Sequence, residues 1–403
     1  MADHPLITLD DLDLSGKRVL VRVDFNVPVR DGTIGDDTRI RATLNTLHRI
    51  LRGGGRLILL SHLGRPEEGH FDETFSLRPV ADHLADLLKR KVVLCRDWQE
   101  QGLPGGEDIV MLENVRFLKG EKADDEALAK QLAGLCDIFV NDAFATAHRA
   151  QASTHGVARF APVACAGPLL VNEIRALSAA FEHPARPLAA IVGGAKVSTK
   201  LTVLESLITN VDQLIVGGGI ANTFLAAAGY NVGKSLFESD LLPEAKKLLA
   251  EADRQGKHIP LPVDVVCARD FKEDAEVSTR PVDDVQDDDL ILDIGPETIR
   301  TYTDVLHKAA TIIWNGPVGV FEFPSCSRGT RAVTEAVSNS PAFSVAGGGD
   351  TIAAISRFGS ANRISYISTG GGAFLEFLEG KTLPAVAVLE EAARAWQQGA
   401  QRE

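Results

Sequence analysis

Two lysines that follow a glycine turn are the first candidates for chemistry in this sequence. Lys196 and Lys200 lie four positions apart in residues 188–200, which read LAAIVGGAKVSTK. The apolar first half is typical of a buried parallel strand, which ends at the two glycines. If a helix begins there, both ammonium groups lie on one face of its first turn. The free N–H groups and the dipole of a helix N-terminus favour an anion, and we interpret that anion as phosphate.

This stretch alone leaves a simpler explanation open. Lysines in a first helical turn oppose the helix dipole, and a bound anion would remove that conflict. Two solvated surface lysines would give the same sequence, because short glycine motifs often occur without a ligand.

A second candidate group consists of arginines that each follow a different predicted strand. The group contains Arg39, Arg65, Arg116 and Arg149, together with His62. Asp24 and Asn26 end the first strand on one side of it, where they could accept from a hydroxyl. Four arginines at one sheet edge would bind a small polyanion bidentately. Each arginine taken singly is better explained by a surface ion pair, and His62 by a structural role. No second ligand stands at metal-binding spacing from His62.

Glycine triplets follow three strands in the second half of the chain, at positions 217–219, 347–349 and 370–372. Asn315 and Glu322 follow another strand, and Asp350 and Thr351 directly follow the second triplet. That triplet resembles a helix start, where N–H groups can hold phosphate while Asp350 faces a metal ion. Glycine allows the backbone to approach a ligand closely, so the pattern predicts a nucleotide across this sheet edge. One triplet alone would indicate only a turn.

Two familiar nucleotide motifs are out of context or absent. Residues 228–235, AGYNVGKS, resemble a loosened phosphate-binding loop, but Ala228 replaces the first glycine. The preceding ANTFLAAAG is typical of a helix, whereas a P-loop follows a strand. No triplet forms the GxGxxG fingerprint of dinucleotide-binding dehydrogenases. We therefore disfavour both assignments.

The elements that position these residues alternate between apolar strands and amphipathic helices. Helical stripes occupy residues 39–52, which glycines 53–55 terminate, and residues 77–88. Strands are predicted at 19–25, 57–60, 92–94, 109–112, 138–140, 188–192, 214–216, 311–314, 343–345 and 364–367. Such alternation predicts an α/β fold with mostly parallel sheets, in which ligands bind at the carboxyl ends of the strands.

Chain length, net charge and cysteine content limit the class of protein. A length of 403 residues suggests two or three domains, and the net charge of -13 argues against nucleic-acid or membrane-surface binding. The five cysteines form no CxxC pair, which indicates reduced thiols in a cytoplasmic protein. The first residues lack a signal-peptide apolar stretch, and no run of about 18 apolar residues predicts a membrane span.

A domain boundary is predicted within residues 168–187. Strand ends before it carry Asp, Asn, Arg and His, whereas strand ends after it carry mostly glycine. The segment begins as a helix, which Pro184 and Pro187 would end. We expect two Rossmann-like, doubly wound parallel-sheet domains joined by a hinge helix.

Nine segments in register resemble the phosphoglycerate kinase family. They are RVDFNVP, SHLGRP, ENVRF, NDAFATAHR, GGAKVSTK, GGGIANTF, WNGPVGVFE, GGGDT and STGGGA, from Arg22 to Ala373. The resemblance implies an N-terminal 3-phosphoglycerate domain at 1–170, a hinge helix and linker at 171–187, and a nucleotide domain at 188–387. It also implies that a tail of residues 388–403 packs back on the first domain.

The resemblance implies a role for each matching residue. The residues implied to hold 3-phosphoglycerate or 1,3-bisphosphoglycerate are Asp24, Phe25, Asn26, Arg39, His62, Leu63, Gly64, Arg65, Arg116 and Arg149. Those implied to hold ADP or ATP with Mg²⁺ are Lys200, Gly217, Gly218, Asn315, Glu322, Gly348, Gly349, Asp350 and Thr351, with Asp350 beside the metal. Arg39 and Lys196 would stabilise the phosphoryl group in transfer. Four positions depart from the family's commonest residues, namely Ala145, Gln151, Asn172 and Phe374.

The implied reaction is the reversible transfer of a phosphoryl group from 1,3-bisphosphoglycerate to ADP. Because the accepting carboxylate of the reverse reaction is already ionised at pH 7, no general base is required. Positioning and charge stabilisation then carry catalysis, after a domain closure that excludes water. The alternatives are another ATP-dependent kinase of small carboxylates and a non-catalytic nucleotide-binding protein. We expect a monomer.

Overall fold

The chain divides into two compact units. The computed structural model describes residues 6–359 and 361–400. Unit 1 contains Met1–Arg175 and Thr382–Glu403, and unit 2 contains Ala176–Lys381. The division falls inside the predicted boundary segment 168–187. Each unit has its own parallel sheet, as the strand–helix alternation predicts.

Unit 1 is built on a six-stranded parallel sheet. Its strands are β1 (Arg18–Arg22), β4 (Arg56–Leu60), β5 (Val93–Cys95), β6 (Ile109–Leu112), β7 (Ile138–Asn141) and β8 (Ala164–Ala166), and a small hairpin joins β2 (Val29–Arg30) to β3 (Thr33–Ile34). The strand order is β5-β6-β4-β1-β7-β8. Val19, Leu20 and Val21 are fully buried, because helices cover both faces of a sheet of this kind.

The helices of unit 1 are α1 (Thr38–Arg52), α2 (Arg78–Leu88), α3 (Trp98–Gln101), α4 (Glu126–Ala133) and α5 (Val157–Phe160). Helix α1 buries Ile40, Leu47 and Ile50 along one face, and the backbone leaves the helix at Gly53. The stripe at positions 40, 47 and 50 follows the helical period, which is why the sequence predicted this helix nearly to its ends.

Unit 2 contains a five-stranded parallel sheet and a separate antiparallel one. Helix α6 (Pro168–Phe181) leads into it, and the parallel strands are β9 (Leu188–Gly193), β10 (Gln213–Gly217), β14 (Thr311–Asn315), β15 (Phe343–Gly347) and β16 (Tyr366–Ser368). Their order is β10-β9-β14-β15-β16. From β9 to β10 the chain adds strands toward one edge of the sheet, and from β14 to β16 it adds them toward the other edge, so the order of addition reverses between β9 and β14. In open sheets of this order, the ligand crevice lies at the reversal.

The antiparallel sheet was not predicted from the sequence. It consists of β11 (Asp264–Ala268), β12 (Val277–Pro281) and β13 (Leu290–Ile294), in the order β12-β11-β13. Strand β12 is partly exposed along its whole length and ends in proline, so it shows no apolar run. Edge strands of this kind lack the pattern on which strand prediction depends.

The helices of unit 2 are α7 (Leu201–Asn210), α8 (Gly218–Ala227), α9 (Leu242–Arg254), α10 (Pro296–Lys308), α11 (Arg328–Asn339), α12 (Gly349–Phe358) and α13 (Gly371–Leu378). The core contains Trp314 and Tyr302, both fully buried. The Tyr302 hydroxyl donates to the Val216 carbonyl at 3.1 Å, which satisfies its polar end inside the core.

The last helix, α14 (Pro384–Ala400), belongs to unit 1. The Ala385 N–H donates to the Ala147 carbonyl at 3.1 Å, and Ala393 is part of the unit 1 core. Residues 401–403 of the predicted tail lie outside the described residues. Helix α6 contains the point of division, between Arg175 and Ala176.

Two general expectations can be compared with the structure. All five cysteines are free, and burial raises the pKa of the Cys136 thiol to about 12. Across residues 6–359 and 361–400, no helix has the length and apolar content needed to cross a bilayer.

Candidate active site

The four predicted arginines of unit 1 converge at the carboxyl ends of the parallel strands. Arg65 follows β4, Arg116 follows β6, Arg149 follows β7, and Arg39 lies in the first turn of α1. Burial together with the guanidinium groups of Arg22, Arg116, Arg149 and Arg39 holds the pKa of His62 well below its ordinary value of 6.5. Their joint effect places Arg22 and three of the predicted arginines around the ring, and the fourth, Arg65, acts on Arg116.

A hydrogen-bond network joins the loops after β1 and β4. Arg39 Nη1 donates to Asp24 Oδ2 at 2.8 Å and to the Asn26 carbonyl at 3.3 Å. The Asn26 side-chain oxygen accepts from the Gly64 N–H at 2.9 Å. Arg116 donates to the Gly64 carbonyl. The network fixes the two loops against each other and therefore sets the positions of Asp24, Asn26 and Gly64.

The alternative of local surface ion pairs holds for one arginine only. Arg39 pairs with Asp24, whereas Arg65, Arg116 and Arg149 form no salt bridge with any described residue. Burial lowers the pKa of Arg116 to about 10, and Arg149 and Arg22 act in the same direction. Three cations that repel one another without a carboxylate partner are typical of a site that binds an anion.

Phe25 and Leu63 support the site through backbone hydrogen bonds rather than through their side chains. Both side chains are buried in the unit 1 core. The Phe25 N–H donates to Ser61 Oγ at 2.9 Å, and the Leu63 carbonyl accepts from Asn114 Nδ2 at 2.7 Å. Both residues thus hold their loops in place.

A buried ionic chain behind the cluster was not predicted. Arg22 is 1 % exposed and donates from Nε to Ser153 Oγ at 3.0 Å, and Ser153 Oγ donates to Glu121 Oε1 at 2.6 Å. Burial raises the pKa of Glu121, and Arg22 opposes that change. A charged residue in an otherwise apolar strand, VLVRV, was the signal that could have revealed Arg22. Glu121 and Ser153 carry no comparable sequence signal.

Three loops interlock in unit 2 through backbone contacts that exclude side chains. A Cβ added to Gly193 would lie 1.8 Å from the Pro317 carbonyl oxygen, and one on Gly219 would lie 2.1 Å from the Ala195 carbonyl oxygen. Gly217 meets Val318 in the same way, and the Gly218 N–H donates to the Val318 carbonyl at 3.0 Å. These glycines, including the predicted Gly217 and Gly218, pack loop against loop.

The lysine pair does not lie in a helical turn. Helix α7 begins at Leu201, and Lys196 and Lys200 belong to the preceding turn, so the predicted helix start was too early. Lys200 Nζ donates to the Gly193 carbonyl at 2.5 Å and to the Asn315 carbonyl at 3.2 Å. Burial lowers the pKa of Lys200 to about 8, against the opposing effect of Asp350. Lys196 is exposed.

The N-terminus of α12 is an open cradle. Gly348 has φ +98°, a conformation that favours glycine, and a Cβ on Gly349 would meet nothing within 4 Å. Thr351 is fully buried, and its hydroxyl accepts from the Gly316 N–H at 2.7 Å. Asn315 Nδ2 donates to the Gly347 carbonyl at 2.8 Å. Exposed Gly349 and Asp350 therefore face solvent above a fixed base.

A cleft of about 820 Å³ adjoins this cradle. Gly194, Gly218, Glu322 and Asp350 are among the residues that line it, and the sequence predicted three of these. Its apolar walls, which were not predicted, include Leu236, Phe237, Phe271, Leu292 and Phe323. Phe271 and Phe323 have ring centroids 5.0 Å apart. Apolar walls with a few polar groups are typical of a nucleotide or cofactor cleft.

The loosened P-loop segment has the wrong context for phosphate, as the sequence indicated. Helix α8 precedes it, and Lys234 and Ser235 lie on the wall of the cleft. Ser235 Oγ accepts from the Ile291 N–H at 2.8 Å, so the hydroxyl supports β13.

The residues present fit Mg²⁺ bound together with phosphate, and do not fit a closed protein cage. Within residues 6–359 and 361–400, no group of three or more His, Cys, Asp or Glu side chains could hold a metal ion. Asp350 supplies one exposed carboxylate at the cleft. Magnesium in nucleotide sites commonly takes one or two carboxylates, water and substrate phosphates.

Two of the four positions that depart from the family's commonest residues are buried and make structural contacts. Phe374 is fully buried, and a Cβ on Gly347 would lie 2.6 Å from its ring. Gln151 is buried, and its carbonyl oxygen accepts from the N–H groups of residues 154–156. Asn172 is exposed on α6, and Ala145 is half-buried.

Comparisons with known proteins agree on one family. A family model described as phosphoglycerate kinase matches residues 9–381. The structure of phosphoglycerate kinase from Coxiella burnetii is 52% identical with a TM-score of 0.93, and the match covers 96% of this chain and 100% of that one. Phosphoglycerate kinase from Pyrococcus horikoshii OT3 is 33% identical with a TM-score of 0.80, over 97% of this chain and 100% of that one.

Proposed function

The chain belongs to the phosphoglycerate kinase family and has its phosphotransferase activity, and from this premise we propose how its residues divide the work. Unit 1 holds 3-phosphoglycerate or 1,3-bisphosphoglycerate, and unit 2 holds ADP or ATP. The observation that carries the assignment is the convergence of Arg65, Arg116 and Arg149, which form no salt bridge with a carboxylate of the described residues. A substrate with a carboxylate and a phosphate supplies the missing negative charge.

In unit 1, the arginines bind the anionic ends and Asp24 and Asn26 accept from the hydroxyl of the substrate. Arginine suits this task because its planar fork matches carboxylate and phosphate oxygens. Arg39 already contacts Asp24 at 2.8 Å, so the network that binds the hydroxyl also orients Arg39.

In unit 2, the base packs on the apolar walls of the cleft and the phosphates lie at the N-terminus of α12. Gly349 leaves the N–H groups of that terminus accessible, and Lys200 adds charge beside Asp350. Asp350 would hold Mg²⁺ together with the phosphates, and the ion would neutralise phosphate charge. Glu322 lies on the wall of the same cleft.

For the transfer step, Arg39 and Lys196 stabilise the charge on the phosphoryl group. The accepting carboxylate is ionised at pH 7, so no residue needs to remove a proton. His62 does not serve as a base in this scheme. Phosphoryl transfer of this kind depends on positioning and electrostatics.

Transfer requires both substrates in one water-free site, and we propose that the units close about residues 171–187 when both bind. Small-angle X-ray scattering with neither, either and both substrates tests the closure. We expect the radius of gyration to fall only with both. An unchanged value with both substrates would count against closure.

A coupled spectrophotometric assay tests the substrate class. With MgATP, we expect turnover with 3-phosphoglycerate and none with acetate or aspartate at equal concentration. The charge-neutralising variant Arg65→Gln should weaken 3-phosphoglycerate binding and leave MgADP binding intact. Turnover with acetate or aspartate instead would favour another carboxylate kinase.

We also propose a monomeric, cytoplasmic enzyme, in agreement with the free thiols and the acidic net charge of -13. Sedimentation velocity at micromolar concentrations tests the oligomeric state. A dimeric sedimentation coefficient would correct the first part of this proposal.

A further inference from the structure

A buried arginine contacts the histidine of the basic cluster. Arg22 Nη2 lies 3.2 Å from His62 Nδ1, and Arg22 and His62 are 1 % and 4 % exposed. A guanidinium group has five N–H donors, no acceptor, and stays protonated in proteins. The contact is therefore a hydrogen bond only if His62 Nδ1 accepts, which requires an unprotonated Nδ1.

We propose that Arg22 is a positioning residue that fixes the His62 tautomer with its proton on Nε2, so that His62 donates a neutral hydrogen bond to the substrate. This inference rests on the proposed assignment of 3-phosphoglycerate to unit 1. It makes His62 a donor rather than a base or a cation.

Two hydrogen bonds, one of them supported by a buried glutamate, hold Arg22 in the required orientation. Its Nε donates to Ser153 Oγ at 3.0 Å, and its Nη1 donates to the Val23 carbonyl at 2.5 Å. Ser153 is itself bound to Glu121, with N–H to Oε2 at 2.9 Å and Oγ to Oε1 at 2.6 Å. With these contacts made, Nη2 is the nitrogen left to face His62.

The other neighbours of His62 agree with this tautomer. Asp24 Oδ1 is 3.9 Å from Nδ1, which is beyond hydrogen-bond distance. Burial lowers the pKa of His62, and the Arg22, Arg116, Arg149 and Arg39 cations lower it further. No described residue donates to or accepts from Nε2, so that atom remains for a ligand.

A second histidine provides a reference of the opposite kind. His155 Nδ1 lies 2.6 Å from Asp124 Oδ2. A carboxylate accepts, so His155 must carry a proton on Nδ1. The two rings should differ in one spectrum of the same sample.

Nuclear magnetic resonance on protein with ¹⁵N-labelled histidine tests the proposal. Long-range ¹H–¹⁵N correlations at pH 7.5 should show His62 with an unprotonated Nδ1 and a protonated Nε2, and His155 with a protonated Nδ1. Addition of 3-phosphoglycerate should shift the His62 Nε2 resonance. A proton on His62 Nδ1 in the wild-type protein overturns the inference, whether or not the enzyme is active.

Variants extend the test to Arg22. Arg22→Met should move the proton to Nδ1, because Asp24 Oδ1 is then the nearest partner, and should raise the KM for 3-phosphoglycerate about tenfold with a smaller change in kcat. Arg18→Met is the matched control, because Arg18 lies at the other end of β1 and pairs with Asp137 at 2.8 Å. An unchanged tautomer in folded Arg22→Met would overturn the role of Arg22.

Amide mimics separate the two tautomers without altering Arg22. His62→Gln places an N–H near the Nε2 position and should keep the KM within about threefold of the wild type, whereas His62→Asn should raise it about tenfold. The reverse order would contradict donation from Nε2. If 3-phosphoglycerate leaves the Nε2 resonance unmoved while the tautomer is as expected, the substrate assignment to this part of unit 1 fails instead.

Discussion

The two candidate sites are built from different chemical groups. In unit 1, guanidinium groups from three strand ends and from the first turn of α1 surround His62, and a buried glutamate offsets part of their charge. In unit 2, glycine loops pack backbone against backbone, and an apolar cleft lies beside one helix N-terminus. Side chains therefore shape the first site, whereas main-chain geometry shapes the second.

The two units differ in the desolvation free energy that their anion-binding groups require. Buried guanidinium groups lose hydration, so unit 1 needs internal partners such as Ser153 and Glu121 to keep Arg22 inside. Backbone N–H groups carry only partial charge, and unit 2 can present them without a counter-ion. Lys200, which is half-buried in unit 2, donates from its ammonium group to two carbonyl oxygens.

The largest expected effect concerns the two cations assigned to transfer, one in each unit. Arg39→Ala and Lys196→Ala should each lower kcat by about 10²–10³, because each removes a preorganised donor to the transferring group. The KM values should change far less. Steady-state kinetics with 3-phosphoglycerate and MgATP measure both effects.

Two exposed cations, one in each unit, serve as controls for these two variants. Arg41 lies two positions after Arg39 and pairs with Asp37, and Lys247 is exposed on α9. Arg41→Ala and Lys247→Ala should retain kcat. Near-normal turnover in Arg39→Ala or Lys196→Ala would remove that residue from the transfer step.

The glycines of unit 2 should separate into structural and ligand-facing positions. Gly193→Ala places a Cβ 1.8 Å from a backbone oxygen and should lower the free energy of unfolding by about 3 kcal/mol. Gly349→Ala meets nothing within 4 Å, so stability should change by less than about 1 kcal/mol while the KM for MgATP rises. Urea denaturation and kinetics measure these outcomes, and equal destabilisation would contradict the distinction.

The two sites should respond differently to alkaline pH. The pKa of Lys200 is lowered to about 8, so its charge is present below that pH and is lost above it. The pKa of Arg116 is about 10. Association of MgADP should therefore weaken about tenfold per pH unit above pH 8, while 3-phosphoglycerate binding persists to about pH 9.

Isothermal titration calorimetry between pH 7 and 9.5 measures this divergence. Lys200→Arg is the control, because an arginine stays charged and should abolish the fall in nucleotide affinity. Parallel losses at both sites would mean that Lys200 is not the titrating group.

The smallest expected effect concerns Lys234, which is exposed on the wall of the cleft. An exposed lysine contributes at most about 1 kcal/mol, so Lys234→Ala should raise the KM for MgATP by less than about fivefold. Lys200→Ala should raise it more. A larger loss in Lys234→Ala would revive the phosphate-loop interpretation of residues 228–235.

The arginine cluster could be predicted because each member follows a strand, and parallel strands bring their carboxyl ends to one edge. The same logic located Asp350 and Glu322. It did not predict Ser153, because a serine contacting Arg22 across 131 positions leaves no local pattern. It also placed the start of α7 too early, because the two lysines have helix-like spacing although they lie in a turn that precedes the helix.

The sequence also could not predict which glycines pack against other loops and which face a ligand. The triplets marked the strand ends correctly, but the sequence could not separate Gly193, which packs against Pro317, from Gly349, which faces open space. Neither glycine has a side chain, so only the residues that surround each one in the folded protein distinguish them. The apolar walls at Phe271 and Phe323 were missed for a related reason, since apolar residues indicate a core unless the fold leaves them at a cleft.

The sequence by itself determined the strand–helix alternation, the family and the chemical types gathered at each sheet edge, because these depend on local periodicity and on motifs read in order. The tertiary structure decided which cations lack partners, which glycines are structural and which nitrogen of His62 faces an N–H donor. Those properties depend on distances between residues far apart in the chain, and a hydrogen bond or a desolvation cost exists only once folding has set those distances.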